Sequence, residues 1–166
     1  MKKVCIQGLG FVGAAMSTAV SIATDHNKNP LYDVIGVDLP NKMGLERVNA
    51  INSGNFPFET SDNYLLSSIK KAHQQGNLCA TTDESVYSEA DIVVVDIQLD
   101  ISYLDDQPQL ELDDFKKSIQ VLGRYVKLKT LIVIETTVPP GTCEKVVVPA
   151  LHSELIKRGI DPKSIF

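Results

Sequence analysis

Three glycines near the amino end, in Gly8-Leu9-Gly10-Phe11-Val12-Gly13, have the spacing G-x-G-x-x-G. They follow a short apolar run, Val4-Cys5-Ile6, and open a helix-like stretch through Ala14, Ala15, Met16 and Val20. A strand, a glycine turn and a helix in this order hold the pyrophosphate of a dinucleotide. Gly8 makes the tight turn, Gly10 lets the backbone approach the phosphates, and Gly13 lets the helix pack on the strand, with the helix amino terminus facing the anion. Glycine clusters also occur in ordinary turns, so the reading needs a partner. Asp33-Val34-Ile35-Gly36-Val37-Asp38 supplies one, a second strand ending in an acid suited to the ribose hydroxyls. Asp38 lies 25 residues beyond Gly13, somewhat past the usual spacing of about 20. The polar insert Thr24-Asp25-His26-Asn27-Lys28-Asn29-Pro30 accounts for the excess. Alone, Asp38 reads equally well as a solvated strand end; with both features in register, a nucleotide site is favoured. An acid there selects NAD over NADP, because it repels a 2′-phosphate.

The rest of the chain must position these groups. Strands are expected at residues 2–7, 33–38, 78–81, 91–97 and 130–135, with helices between them. Ile92-Val93-Val94-Val95 and Leu131-Ile132-Val133-Ile134 are continuous apolar runs, as in parallel strands buried on both faces. Between them, Phe115, Ile119 and Leu122 share one face of a helix. The alternation predicts an α/β fold, a doubly wound, mainly parallel Rossmann-type sheet with helices on both faces. Residues 141–158 read as a helix bent at Pro149. Asp100 to Glu111, acidic and irregular, reads as a surface loop.

In such a sheet the fourth strand lies beside the first, and ligands bind at the carboxyl ends of that switch point. Asp96-Ile97-Gln98-Leu99-Asp100 and Glu135-Thr136-Thr137-Val138-Pro139-Pro140-Gly141-Thr142 therefore line the nicotinamide half of the crevice. Thr136 and Thr137 offer hydroxyls there. The bland alternative is a strand-to-helix connection with good turn chemistry and no ligand.

Composition bounds the function. At 166 residues, 43% hydrophobic and 22% charged, the chain is an ordinary globular domain. A net charge of −5 argues against a nucleic-acid partner. No apolar run reaches the length that spans a membrane, which is about 18 residues or more. Cys5, Cys79 and Cys143 form no C-x-x-C pair, which suggests reduced thiols in a cytoplasmic protein and no metal site. The last residues, Ser164-Ile165-Phe166, look like the start of a further strand, so a fragment of a longer protein is expected.

The chain resembles the amino-terminal domain of the UDP-glucose/GDP-mannose dehydrogenase family. The resemblance rests on the glycine motif, Asp38, Arg47-Val48-Asn49-Ala50-Ile51-Asn52-Ser53-Gly54 with Pro57, Ala80-Thr81-Thr82-Asp83, and Thr136-Thr137-Val138-Pro139-Pro140-Gly141-Thr142. It implies NAD pyrophosphate on the backbone of Phe11 and Val12, ribose on Asp38, and Arg47 near the adenosine. Thr82 would approach the cofactor, and Thr137 would help order water and the reacting centre. It also implies oxidation of a UDP- or GDP-sugar C6 alcohol to the carboxylate through a cysteine thiohemiacetal, in an enzyme that is a homodimer when full length. On the same grounds the nucleophilic cysteine lies beyond this chain, Cys143 falls at a small, usually hydroxyl-bearing position, and the fragment alone is inactive. Where the family has alanine-valine-proline-threonine-proline, this chain has Asp96-Ile97-Gln98-Leu99-Asp100. Two other readings stay open, a hydroxyacid or 6-phosphogluconate-type dehydrogenase domain and a non-catalytic NAD-sensing module.

Overall fold

The computed structural model describes residues 1–99, 101–104 and 107–162. Five parallel strands form its sheet: β1 (Lys2–Gln7), β2 (Tyr32–Val37), β3 (Leu78–Thr81), β4 (Ile92–Val95) and β7 (Leu131–Ile134). Their order, β3-β2-β1-β4-β7, is the doubly wound arrangement, reversing between β1 and β4.

Alternation along the strands divides the core in two. Val4, Ile6 and Val34 face one side with α1 (Phe11–Ser21), α2 (Lys42–Asn52) and α3 (Asn63–Gln75). Cys5, Val93 and Val95 face the other, against α4 (Asp113–Tyr125) and α5 (Val148–Lys157). Phe115, Ile119 and Leu122 of α4 are wholly buried on that second face, as their helical spacing predicts. Asn41 and Asp62 start α2 and α3 by accepting hydrogen bonds from the amides of Gly44 and Leu65. Arg158 fastens α5 to α4 by donating to the carbonyls of Gly123 and Val126 at 2.9 and 2.8 Å.

Several boundaries differ from expectation for identifiable reasons. β4 stops at Val95 because the amide of Ile97 turns from the ladder to the Thr136 hydroxyl, 2.8 Å away. β7 ends where the amides of Glu135 and Thr136 converge on the Val95 carbonyl. The helix expected over residues 141–158 begins as a π-helical segment, Cys143–Val147, and becomes α5 with Pro149 in its first turn. Proline cannot donate back along the helix, so the change of hydrogen-bond register falls just ahead of it. The stretch read as a loop contains two antiparallel strands, β5 (Ile101–Leu104) and β6 (Gln107–Leu110). A two-stranded ribbon leaves an unpaired side where Pro108 is tolerated. Asp100 and the expected strand opening at 164–166 lie outside the described residues.

One contact explains the Asn52-Ser53-Gly54 segment. β3 is an edge strand, and the Asn52 side chain pairs with its outer side like a short extra strand. Its Oδ1 accepts from the Ala80 amide at 2.7 Å, and its Nδ2 donates to the Ala80 carbonyl at 2.9 Å. Replacing Asn52 by Ala strands both groups of a buried residue, and each lost bond costs about 1 kcal/mol or more. Urea denaturation of Asn52→Ala is expected to show a loss of about 1–3 kcal/mol.

Candidate dinucleotide site

The glycine turn is built by close approach of backbones. Gly8 has φ +94°, and a Cβ on it would lie 2.2 Å from the Asp96 carbonyl oxygen. A Cβ on Gly13 would lie 2.0 Å from the Gly8 carbonyl oxygen, so only glycine lets α1 sit this close to β1. Leu9, between them, is completely buried and plugs the turn into the core. Gly10 is different. It has an ordinary backbone conformation, and a Cβ there would meet no atom of the described residues within 4 Å. The fold does not need glycine at this position, whereas a ligand lying against the turn would.

That open space belongs to a cleft of about 500 Å³ at the carboxyl ends of the strands. It runs from Asp38, Leu39 and Arg47 past Gly8 and Gly10 to Asp96 and Gln98. Asp38 follows the end of β2, where its backbone amide donates a hydrogen bond to the Thr81 carbonyl at 3.1 Å. Its carboxylate accepts from the Leu39 amide at 2.8 Å and pairs with the Arg47 guanidinium at 3.2 Å. Arg47 lies over the Phe58 ring, 5.4 Å from its centre. Phe56 and Phe58 pack in turn on the exposed Phe11 at the head of α1, with ring centres 5.3 and 5.7 Å away.

A second cavity of about 410 Å³ opens beyond the turn, between Val12, Asp96, Glu135 and Thr137. Thr137 is exposed there. Thr136 is not equivalent. It is buried, its hydroxyl accepts from the Ile97 amide, and the carbonyls of Ile97 and Val95 lie 3.0 and 3.3 Å from the same oxygen. This threonine ties the ends of β4 and β7 together, and its hydroxyl is spoken for by the backbone.

Asp96 lines both cavities. Its Oδ2 is shielded from solvent without a hydrogen-bond partner among the described residues. Burial, with a smaller contribution from Glu135, pushes its carboxyl above the ordinary aspartate value.

The predicted site residues therefore fall into groups. Gly8, Gly10, Asp38 and Arg47 line the larger cleft, and Val12 and Thr137 line the smaller. Gly13 supports the turn from beneath. Thr82, one residue beyond β3, lines neither cavity. Cys5 is buried in β1, its thiol pushed up to about 12 by desolvation, while Cys143 is exposed outside both cavities. Sequence reasoning passed over Phe56 and Phe58, whose only signal is that they flank Pro57. No helix among the described residues is long and apolar enough to cross a membrane, and no acidic, histidine or cysteine cluster among them could hold a metal.

A parallel sheet with this strand order and this glycine turn defines a dinucleotide-binding domain of the dehydrogenase type. The chain belongs to the UDP-glucose/GDP-mannose dehydrogenase family, whose NAD binding domain matches residues 2–162. It is 29% identical over 145 residues to the UDP-N-acetyl-D-mannosamine dehydrogenase of Methanocaldococcus jannaschii, covering 87% of this chain and 30% of that protein. A namesake from Methanococcus maripaludis is 33% identical, with 88% of this chain and 31% of the relative covered. Among solved structures, NDP-N-acetyl-D-galactosaminuronic acid dehydrogenase of Methanosarcina mazei superposes with a TM-score of 0.82 at 27% identity, over 93% of this chain and 31% of the other. The chain thus spans about a third of the length of the relatives it matches.

The shielded Asp96 carboxyl has a thermodynamic consequence. Because its folded-state value lies above the unfolded one, the native state holds the proton more tightly. Asp96 therefore weakens the fold above its folded-state value, and the penalty fades as pH falls through the unfolded carboxylate range. Asp96→Asn is expected to stabilise the fold at neutral pH by less than about 1 kcal/mol, given the group's partial exposure, and so to raise the melting temperature. Melting curves from pH 7 down to the carboxylate range should show the advantage shrinking.

Proposed function

We propose that this chain is the NAD-holding part of a nucleotide-sugar 6-dehydrogenase, which oxidises the C6 alcohol of a UDP- or GDP-linked sugar to a carboxylate. The observation that carries the cofactor reading is Gly10, whose missing side chain leaves room in the cleft that no described residue fills. NAD, when bound, accepts hydride from the sugar. The amides of Phe11 and Val12 at the start of α1 would hold its pyrophosphate, and Asp38 would accept hydrogen bonds from the adenosine ribose. Arg47 and Phe58 would border the adenine, with Thr82 approaching from the end of β3. Thr137 would orient water or a hydroxyl in the smaller cavity. It cannot act as a base at neutral pH.

The two-step oxidation needs an activated thiol beside the nicotinamide. Cys143 and Cys79, the latter in β3, stand outside both cavities and Cys5 is buried, so the nucleophile would come from a part of the enzyme other than residues 1–166. The sugar-nucleotide and dimerisation segments would belong to that part too, in a homodimeric, cytoplasmic enzyme. This fits the third of its relatives' length that the chain covers.

Three measurements test this reading. Gly10→Val should fold normally, since its side chain enters open space, yet lose NAD affinity by roughly a hundredfold in calorimetry. Unaltered affinity in the folded variant would refute the site. NADP should bind more weakly than NAD, because a 2′-phosphate meets the Asp38 carboxylate and Arg47 is already paired with it. The chain alone, given NAD and UDP- or GDP-sugars, should form no NADH above background. Sustained NADH formation that vanishes in Cys143→Ser would overturn the assignment of the nucleophile elsewhere.

A further inference from the structure

We infer that Asp96 biases the site toward the oxidised, cationic form of the dinucleotide over the reduced, neutral form. The inference rests on the NAD reading above. Asp38 marks the adenosine side of the switch point, so the other nucleotide half lies toward β4 and β7, where Asp96 joins the two cavities.

Three features make the position electrostatically effective. First, the backbone of Asp96 is fixed on both sides. Its amide donates to the Gln7 carbonyl at 2.8 Å, its carbonyl packs against Gly8, and the following amide is held by Thr136. Second, no described side-chain cation pairs with it. Asp38 pairs with Arg47, and Asp114 at the rim pairs with Lys117, whereas Asp96 Oδ2 has no partner among the described residues. Third, the smaller cavity adds the carboxylate of Glu135, and neither lysine nor arginine is among its described lining residues.

The two forms of the cofactor share every phosphate and ribose and differ by one positive charge on the nicotinamide ring. Their affinity ratio therefore reports the field at that end of the cleft. A single carboxylate about 12 Å from a charged ring, at an effective dielectric of about 20, alters such a ratio by about tenfold. In turnover this field would favour loading of the oxidant and departure of the reduced product.

The test titrates the 166-residue chain and its Asp96→Asn and Glu135→Gln variants with oxidised NAD, NADH and ADP-ribose, which lacks the ring. Asp96→Asn should lower the preference for oxidised NAD over NADH by about tenfold, with ADP-ribose affinity unchanged. Glu135→Gln should act in the same direction and more weakly. An unchanged ratio in Asp96→Asn overturns the inference alone, as does an equal loss for all three ligands, which would mark Asp96 as structural. Should Asp96→Asn fail to fold, the ratio in Glu135→Gln, altered at an exposed position, decides the matter. If the wild-type chain binds neither form, the NAD reading falls and this inference falls with it.

Discussion

Three backbones meet at the end of β1, and the rest of the domain is arranged around that contact. The Gly8 carbonyl lies beneath Gly13 of α1, and Gly8 itself lies on the Asp96 carbonyl of the neighbouring strand end. Each approach is closer than any side chain permits. Together they fix the height of α1 over the sheet and the separation of the β1 and β4 ends, and so the mouth of the cleft. Leu9 secures the same turn from inside, with no exposed surface.

Around this centre, polar side chains do work that strands usually do for one another. Thr136 takes up the Ile97 amide where β4 leaves the ladder. Asn52 takes up both backbone groups of Ala80 on the outer side of β3. Asp38 is steadied from three directions, by the Thr81 carbonyl, the Leu39 amide and Arg47. The backbone at these strand ends is thus largely taken up in hydrogen bonds. Two lining side chains depart from this, Asp96 with one shielded carboxyl oxygen and Gln7 with a shielded amide oxygen, neither of which has a partner among the described residues.

These details separate what the sequence reveals from what it conceals. The glycine turn, the acid after β2 and the apolar runs of β4 and β7 are legible because each is a local pattern with a fixed spacing, and strand order follows from alternation and handedness. The burial expected on both faces of β7 is not met, since Leu131 and Val133 are exposed. The apolar face of α4 is legible for the same reason. The roles of Asn52 and Thr136 are not, because their partners lie 28 and 39 residues away and only the folded sheet brings them together. Read locally, Thr136 and Thr137 are equal hydroxyls; the fold buries one and exposes the other. The stacking of Phe58 under Arg47 also depends on the loop after α2 returning over the glycine turn. The β5–β6 ribbon escapes notice because Pro108 argues against a strand until the unpaired side is seen.

The amide of Asn52 also makes the sheet lopsided. On the β3 margin it occupies the hydrogen-bonding groups of Ala80 that an incoming strand would seek. On the opposite margin β7 is the outermost strand among the described residues, with Leu131 and Val133 exposed along it. A single primary amide thus gives the sheet a direction, since unpaired backbone is the template on which further strands, native or aberrant, are laid down. Extension on the β3 side is hindered by a residue costing the core no apolar volume.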